Sequence, residues 1–278
     1  MQKKLKFTKM HALGNDFMVI NHDDIDDIDE IDEMHFLERY IPQWSSRHRG
    51  IGFDQFLIIQ KSLVKNTFFY RIFNADGTEV GQCGNGARCA ARYVHEQGLC
   101  DEKKIILMTK TTQMSVTLED DAYQRITVEL NPPQFADDIL IQHHIFHRVN
   151  VGNPHAVTLV PLSKLASMDM DTNIEKIGTI LNSGHPLFVE GTNVEWMYLN
   201  SLNHMTLRVF ERGVGETQAC GSGACAAMVC ARKFHGAAAS MDIELPGGSL
   251  YISWEGDQQP LFMTGNAIHV FDGEIEVV

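Results

Sequence analysis

Two cysteines carry the pattern in this sequence most able to do chemistry. Each stands immediately before a G-x-G step, as Cys83-Gly84-Asn85-Gly86 and Cys220-Gly221-Ser222-Gly223, and each step opens an Ala-rich stretch of helical character. The glycines are expected to let the backbone approach a ligand without interference from Cβ. Amides exposed at a helix start carry about half a positive charge from the aligned peptide dipoles, which suits a carboxylate and favours a thiolate. An ordinary thiol titrates near about 8.5 and can fall by several units in such a place. If two such starts point at one amino-acid carboxylate, the Cα–H of that amino acid lies between two sulfurs. One thiolate then takes the proton and the opposite thiol returns one to the other face, which is stereoinversion by two bases. The carbanion on this path needs aimed donors and exclusion of water, and the helix starts are the candidates to supply them.

The elements that must position these cysteines are written twice. Arg71 corresponds to Arg208, Phe73 to Phe210 and Cys83 to Cys220, each 137 positions apart in a chain of 278 residues. Leu13-Gly14-Asn15 answers Val151-Gly152-Asn153, and Val116-Thr117-Leu118-Glu119 answers Ile252-Ser253-Trp254-Glu255. An offset near half the length, held over four segments, predicts two similar domains whose equivalent loops meet at one cleft. Alternating or β-branched runs predict strands over 17–20, 55–59, 68–73, 115–118, 125–130, 156–160, 207–210, 250–254 and 268–271. Helices are expected over 33–48, 173–182 and after each cysteine. The segment 224–231 is apolar around its whole circumference, which marks a helix buried on all sides. The expected fold is therefore α+β, with two pseudo-symmetric domains, each a curved, barrel-like mixed sheet around a central helix.

Composition removes several classes of function. Lys and Arg total 23 against 36 Asp and Glu, a formal net charge of −13. That balance opposes a phosphate-tracking nucleic-acid protein, and no basic stripe is present. No apolar run approaches the roughly 20 residues of a membrane helix, and the basic start of the chain lacks the apolar core of a signal peptide. A cytoplasmic location is expected, with the six cysteines as thiols. The acid-rich stretch 23–33, with Ile25, Ile28 and Ile31 spaced among carboxylates, is expected to be a solvated loop or helix face. A zinc site would need closely spaced cysteine pairs, whereas Cys83 and Cys89, like Cys220 and Cys225, lie on apolar helices. Cys89, Cys225, Cys230 and, more loosely, Cys100 read as small core residues. The full G-x-G-x-x-G fingerprint is absent, which removes phosphate cradling. Two other readings stand beside the two-base one. A thiol hydrolase would use one cysteine with His155 and an asparagine, and leaves the second cysteine unexplained. A protein that only binds a small anion would tolerate serine at both cysteines.

The strings F-N-A-D-G-T-E-V-G-Q-C-G-N-G-A-R-C, from Phe73 to Cys89, and E-R-G-V-G-E-T-Q-A-C-G-S-G-A-C, from Glu211 to Cys225, resemble the two signatures of the diaminopimelate epimerase family. Further similar strings run along the chain: H-A-L-G-N-D-F, G-I-G-F-D-Q, G-N-P-H, G-T-N-V and L-P-G-G-S-L. Proline racemases share the two-cysteine plan, but are not expected to carry the Glu211-Arg212 step with this set of asparagines. The resemblance implies interconversion of LL- and meso-diaminopimelate in lysine and peptidoglycan precursor synthesis, in the cytoplasm, with no cofactor, pyridoxal phosphate or metal. It implies halves formed by residues 1–121 plus 266–278 and by 122–265. Matched position by position, Cys83 and Cys220 would be the acid and base. Amides of Gly84, Asn85, Gly221 and Ser222 would hold the reacting carboxylate. Asn15 and Gln55 would line the site, and His155 and Glu211 would stand near the reacting head. Asn74, Asn153, Asn193 and Arg212 would grip the distal head, where a guanidinium can make a two-pronged contact with a carboxylate. The family's homodimer is also implied, although Phe271 stands where a tyrosine is expected at the dimer contact.

Overall fold

The computed structural model describes residues 3–26, 33–164, 168–183 and 185–277. Positions 27–32, with Ile28 and Ile31 of the acid-rich stretch, lie outside the described residues. The chain forms two compact units: Met1–Val128 with Gly265–Val278 as unit 1, and Glu129–Thr264 as unit 2.

Unit 1 contains β1 (Lys3–Ala12), β2 (Asn15–Asn21), α1 (His22–Asp26), α2 (Glu33–Trp44), β3 (Gln55–Lys61), β4 (Thr67–Asn74), β5 (Glu79–Val80), α3 (Gly84–Glu96), β6 (Lys104–Met108) and β7 (Gln113–Leu118). The strand β8 (Ile126–Leu130) carries the chain out of this unit, and β18 (Ile268–Val277) returns to it. Its strands pair in the order β18–β1–β2–β3–β4–β6–β7, with β5 on the end of β4. Only β2–β3 and β4–β6 are parallel.

Unit 2 repeats the plan with β9 (Gln134–Ile141), β10 (His144–Asn150), β11 (Pro154–Leu159), α4 (Met168–Asn182), β12 (Asn193–Ser201), β13 (His204–Glu211), β14 (Gly215–Glu216), α5 (Gly221–His235), β15 (Ser240–Leu245), β16 (Gly248–Trp254) and β17 (Leu261–Gly265). The pairing order is β9–β10–β11–β12–β13–β15–β16–β17, with β14 on β13. Its parallel pairs are β11–β12 and β13–β15, at the same two places. Beside β1, β18 takes the place that β9 takes beside β10.

Each sheet is covered on both faces, which accounts for its long apolar runs. Alternate residues of the strands pack on an outer helix. In unit 1, Met18, Ile20, Phe56 and Ile58 meet Leu37, Tyr40, Ile41 and Trp44 of α2. In unit 2, Ala156, Val194, Trp196 and Tyr198 meet Ile174, Ile177 and Leu181 of α4. The residues between them face the central helix of their own unit, α3 or α5. Residues 224–231 of α5 are wholly buried, as the unbroken apolar circumference predicts.

The helix expected over 33–48 stops at Trp44. Its last carbonyl accepts hydrogen bonds from the Ile51 and Gly52 amides at 2.8 and 2.9 Å, so the returning loop closes the helix end. A Cβ on Gly50 would lie 2.5 Å from the carbonyl oxygens of Gln43 and Trp44, and the tight return therefore needs a glycine there. Strands β1, β6, β9, β10, β12, β15 and β17 were not expected from the sequence. Lysines occupy the outward positions of β1, and their charge hides the alternation that buries Leu5 and Phe7.

Candidate active site

Both cysteines are helix N-caps. The Cys83 sulfur accepts the Gly86 amide at 3.3 Å and the Cys220 sulfur accepts the Gly223 amide at 3.4 Å, a place ordinarily taken by a Ser, Thr, Asp or Asn oxygen. None of the six cysteines is in a disulfide. Cys89, Cys225 and Cys230 are core residues with no exposure, whereas Cys100 is half-buried beside Asn66. Among the described residues no group of three or more His, Cys, Asp and Glu is placed to hold a metal ion.

The second glycine of each motif meets a packing requirement of its own. A Cβ on Gly86 would come 2.2 Å from the Tyr70 hydroxyl, and one on Gly223 would come 3.0 Å from Glu195 Oε1. Both glycines make room for protein side chains under the helix start. The repeated arginines hold the turn before each cysteine. Arg71 Nε meets Glu79 at 3.0 Å across β4 and β5, and Arg208 Nε meets Glu216 at 2.6 Å across β13 and β14. These pairs are partly exposed, so each contributes on the order of 1 kcal/mol or less and acts mainly to fix geometry.

In unit 1 the structure brings Asn15, Gln55, Asn74 and Asn85 into one hydrogen-bonded neighbourhood around the start of α3. Asn85 Nδ2 donates to Asn15 Oδ1 at 3.3 Å, and Gln55 Nε2 donates to Asn74 Oδ1 at 3.1 Å. Buried Arg88 donates to Asn85 Oδ1 at 3.0 Å and to the Asn266 carbonyl at 3.0 Å. The strand ends carrying Asn15 and Gln55 are locked by an ionic cluster. Asp16 accepts from Lys9 at 2.5 Å and from both Arg47 terminal nitrogens at 2.9 Å, and Arg47 also reaches Asp54 at 2.7 Å. Lys9 donates as well to the Gly52 carbonyl. Burial pulls the Asp16 carboxyl upward, but the bonds from Arg47 and Lys9 outweigh it and hold it at about 2, against an ordinary 3.8. A folded-state value below the unfolded one stabilises the fold above pH ~4, and the stabilisation is lost as pH falls toward 2. The expected contribution is about 2 kcal/mol at neutral pH. Asp16→Asn should therefore lower the denaturation midpoint at pH 7, and the gap from the parent should close in acid. A gap independent of pH would contradict the assignment.

In unit 2 a second neighbourhood forms around the start of α5. The Arg212 amide donates to Asn193 Oδ1 at 2.8 Å, and the Arg212 side chain is exposed, reaching the Glu190 carbonyl at 3.4 Å. Thr217 donates to Glu211 at 2.5 Å, and Ser222 Oγ lies 3.5 Å from the Cys220 sulfur. His155 is completely buried, with Nδ1 2.6 Å from Glu195 Oε1 and Nε2 2.9 Å from Asn153 Oδ1.

The two neighbourhoods occupy equivalent places in the two sheets. Across β2, β3 and β4 the aligned row reads Phe17, Gln55, Asn74. Across β11, β12 and β13 it reads His155, Asn193, Glu211, since His155 pairs with Asn193 and Val194 pairs with Phe210. Leu57, paired with Val19, corresponds to Glu195, paired with Val157. Where unit 1 has Phe17, Asn74 and Leu57 in these aligned places, unit 2 has the ionisable His155, Glu211 and Glu195. Glu195 is the residue that sequence reading missed, and a single glutamate inside the run from Val194 to Leu199 is the signal that could have found it.

At the start of α5 the surroundings oppose the preference for a thiolate that a helix start provides. Burial pushes the Cys220 thiol well up, and the Glu211 and Glu195 carboxyls push it further. Hydrogen bonds from Ser222 and the Gly223 amide oppose that rise without reversing it. In unit 2 the loss of hydration and two carboxyls outweigh these hydrogen bonds.

The model of the family "Diaminopimelate epimerase" matches residues 7–136 and 147–270. The chain belongs to the diaminopimelate epimerase family. That membership places it among epimerases and racemases, and the α+β architecture expected from the sequence is the one observed. The fold of the family is also seen in more distant solved structures. A PhzF-family phenazine biosynthesis protein from Bacillus anthracis is 18% identical, with 99% of this chain and 100% of that one covered and a TM-score of 0.72. A hydroxyproline epimerase from Agrobacterium vitis, solved with trans-4-hydroxy-L-proline, is 14% identical, with 99% and 92% covered and a TM-score of 0.71. A probable proline racemase from Agrobacterium radiobacter K84, with bound carbonate, is 12% identical, with 99% and 93% covered and a TM-score of 0.69. Among the described residues no helix is long and apolar enough to cross a membrane.

Proposed function

We propose that the chain interconverts LL- and meso-diaminopimelate by proton exchange at one Cα, without pyridoxal phosphate, as a homodimer supplying lysine and peptidoglycan precursor synthesis. The observation that carries this reading is the pair of equivalent helix starts, each capped by a cysteine sulfur. The reaction requires one proton-transfer group on each face of the substrate Cα. One sulfur, as thiolate, takes the proton from one face and the other, as thiol, delivers one to the opposite face; the upward push on the Cys220 thiol suits it to the donor's part. The roles exchange in the reverse direction. The first-turn amides of α3 and α5 draw charge from the carbanion into the carboxylate. The distal head is gripped by Asn74, Asn153, Asn193 and Arg212, with the exposed Arg212 guanidinium available for its carboxylate.

The hydrolase alternative needs a base aimed at a cysteine. Both nitrogens of His155 are instead engaged, by Glu195 and by Asn153, which argues against His155 as the base for Cys220. Incubation of the reduced protein with either isomer in heavy water, followed by proton NMR, tests the proposal. Deuterium is expected at one Cα, with approach to an isomer mixture and no added cofactor. No deuterium at Cα would overturn it.

A further inference from the structure

The buried line Glu195–His155–Asn153 has no counterpart that the fold requires. The equivalent places in unit 1 are filled by Phe17 and Leu57, both completely buried against the central helix. Unit 2 has instead placed a carboxyl and an imidazole there, both with no exposure, at 2.6 Å. A buried polar pair of this kind gives stability no better than an apolar pair of similar volume, so its presence calls for a role in the site.

Hydrogen-bond chemistry limits the line to few proton arrangements. If Glu195 holds the shared proton, its Oε1–H donates to Nδ1. Nε2 must then carry the ring proton and donate to the Asn153 carbonyl oxygen, which fits the 2.9 Å between Nε2 and Oδ1. The Asn153 Nδ2 hydrogens then turn away from the ring. If Glu195 is a carboxylate and the ring is neutral, Nδ1–H donates to it, Nε2 becomes an acceptor, and the amide must rotate to offer Nδ2 instead. With a neutral ring, the state of Glu195 thus selects which end of the Asn153 amide is turned outward, whereas a protonated ring beside a carboxylate would carry a proton on Nδ1 as well as Nε2. Several features favour the protonated acid. Glu195 is fully buried, its Oε2 has no side-chain hydrogen-bond partner, and a carboxylate beside a neutral ring would leave charge uncompensated. Burial pushes its carboxyl up most, the charge and hydrogen bond of His155 pull it down, nearby Glu211 pushes it up again, and the Ala156 backbone amide pulls it down slightly without reversing the rise. Around it stand Gly223 on α5, His155 on β11 and Glu211 on β13.

We propose that Glu195 is a positioning residue: through His155 it fixes the Asn153 amide with its N–H groups outward, as donors to the bound substrate. This rests on the reading of Asn153 as a substrate contact, but its first test needs no activity. In nitrogen-15 NMR of the imidazole, wild type should show a proton on Nε2 and an acceptor at Nδ1. Glu195→Gln can donate its amide N–H to Nδ1, so it should keep this pattern and stay within about threefold of wild-type kcat and KM. Glu195→Leu should give a mixture of tautomers and raise KM tenfold or more, with a smaller change in kcat. The double variant His155→Phe with Glu195→Leu copies the apolar pair of unit 1. It should melt within a few degrees of wild type and still show the raised KM.

Wild-type kinetics in that double variant would reduce the line to packing and overturn the proposal. So would a Gln variant as impaired as the Leu variant, or a proton on Nδ1 in wild type. The expected imidazole pattern in a protein that leaves diaminopimelate unchanged would sink the proposed function and leave the state of the pair standing.

Discussion

Cys83→Ser and Cys220→Ser are each expected to lower epimerisation by at least about 10²–10⁴-fold, the contribution typical of one positioned proton-transfer group. A hydroxyl is a far weaker acid than a thiol, so serine can neither be the anion that takes the Cα proton nor readily give one to a carbanion. The same substitutions should barely affect the fold. Serine is among the best N-cap residues, and its oxygen can accept the Gly86 or Gly223 amide in place of sulfur. Unfolding midpoints within about 1 kcal/mol of the parent, beside near-complete loss of turnover, would separate chemistry from stability. Because the scheme needs both sulfurs, the two variants should be about equally impaired, and the double variant little worse than either. If one variant retained near wild-type rate, a single-cysteine reaction would take the place of the two-base one.

The second large effect is expected at Gly86. An alanine there would place Cβ 2.2 Å from the Tyr70 hydroxyl and 3.3 Å from the Phe17 ring. Neither neighbour has room to retreat, since both are fully buried and Tyr70 donates to the Cys83 carbonyl at 3.2 Å. Gly86→Ala should cost about 1–3 kcal/mol in denaturant unfolding and displace the cap, with activity falling further than stability. Tyr70→Phe removes the clashing oxygen at the loss of one hydrogen bond, about 1 kcal/mol. The two changes together should therefore be less damaging than their sum. Gly223→Ala is the milder comparison, with its nearest neighbours at 3.0 and 3.2 Å. Equal tolerance of alanine at both positions would show that Tyr70 does not pin the first helix start.

Much of this molecule was legible before any coordinates. The 137-residue offset gave two units of one design because the repeated residues have repeated physical tasks: Arg71 and Arg208 clamp a turn, and Cys83 and Cys220 cap a helix. The burial of α5 was written in its uninterrupted apolar circumference. What stayed hidden depends on partners distant in sequence. The chemistry of Glu195 depends on His155, 40 positions away on the neighbouring strand. The high thiol of Cys220 depends on burial and two carboxyls supplied by other strands. A helix-start argument contains the dipole but not the dehydration, and in unit 2 dehydration prevails. The need for Gly86 likewise lies in Tyr70, a residue of β4 beneath the helix.

The pairing of β18 with β1 sets an order of events during synthesis. Once the ribosome has finished β1, β18 emerges some 250 residues later, at 5–20 residues per second roughly ten seconds or more afterwards. Throughout that interval the flank of β1 has no permanent neighbour, and the nascent first half must wait, incomplete and prone to aggregate, for the tail to arrive. Chaperone dependence in the cell would then fall on the half that is made first.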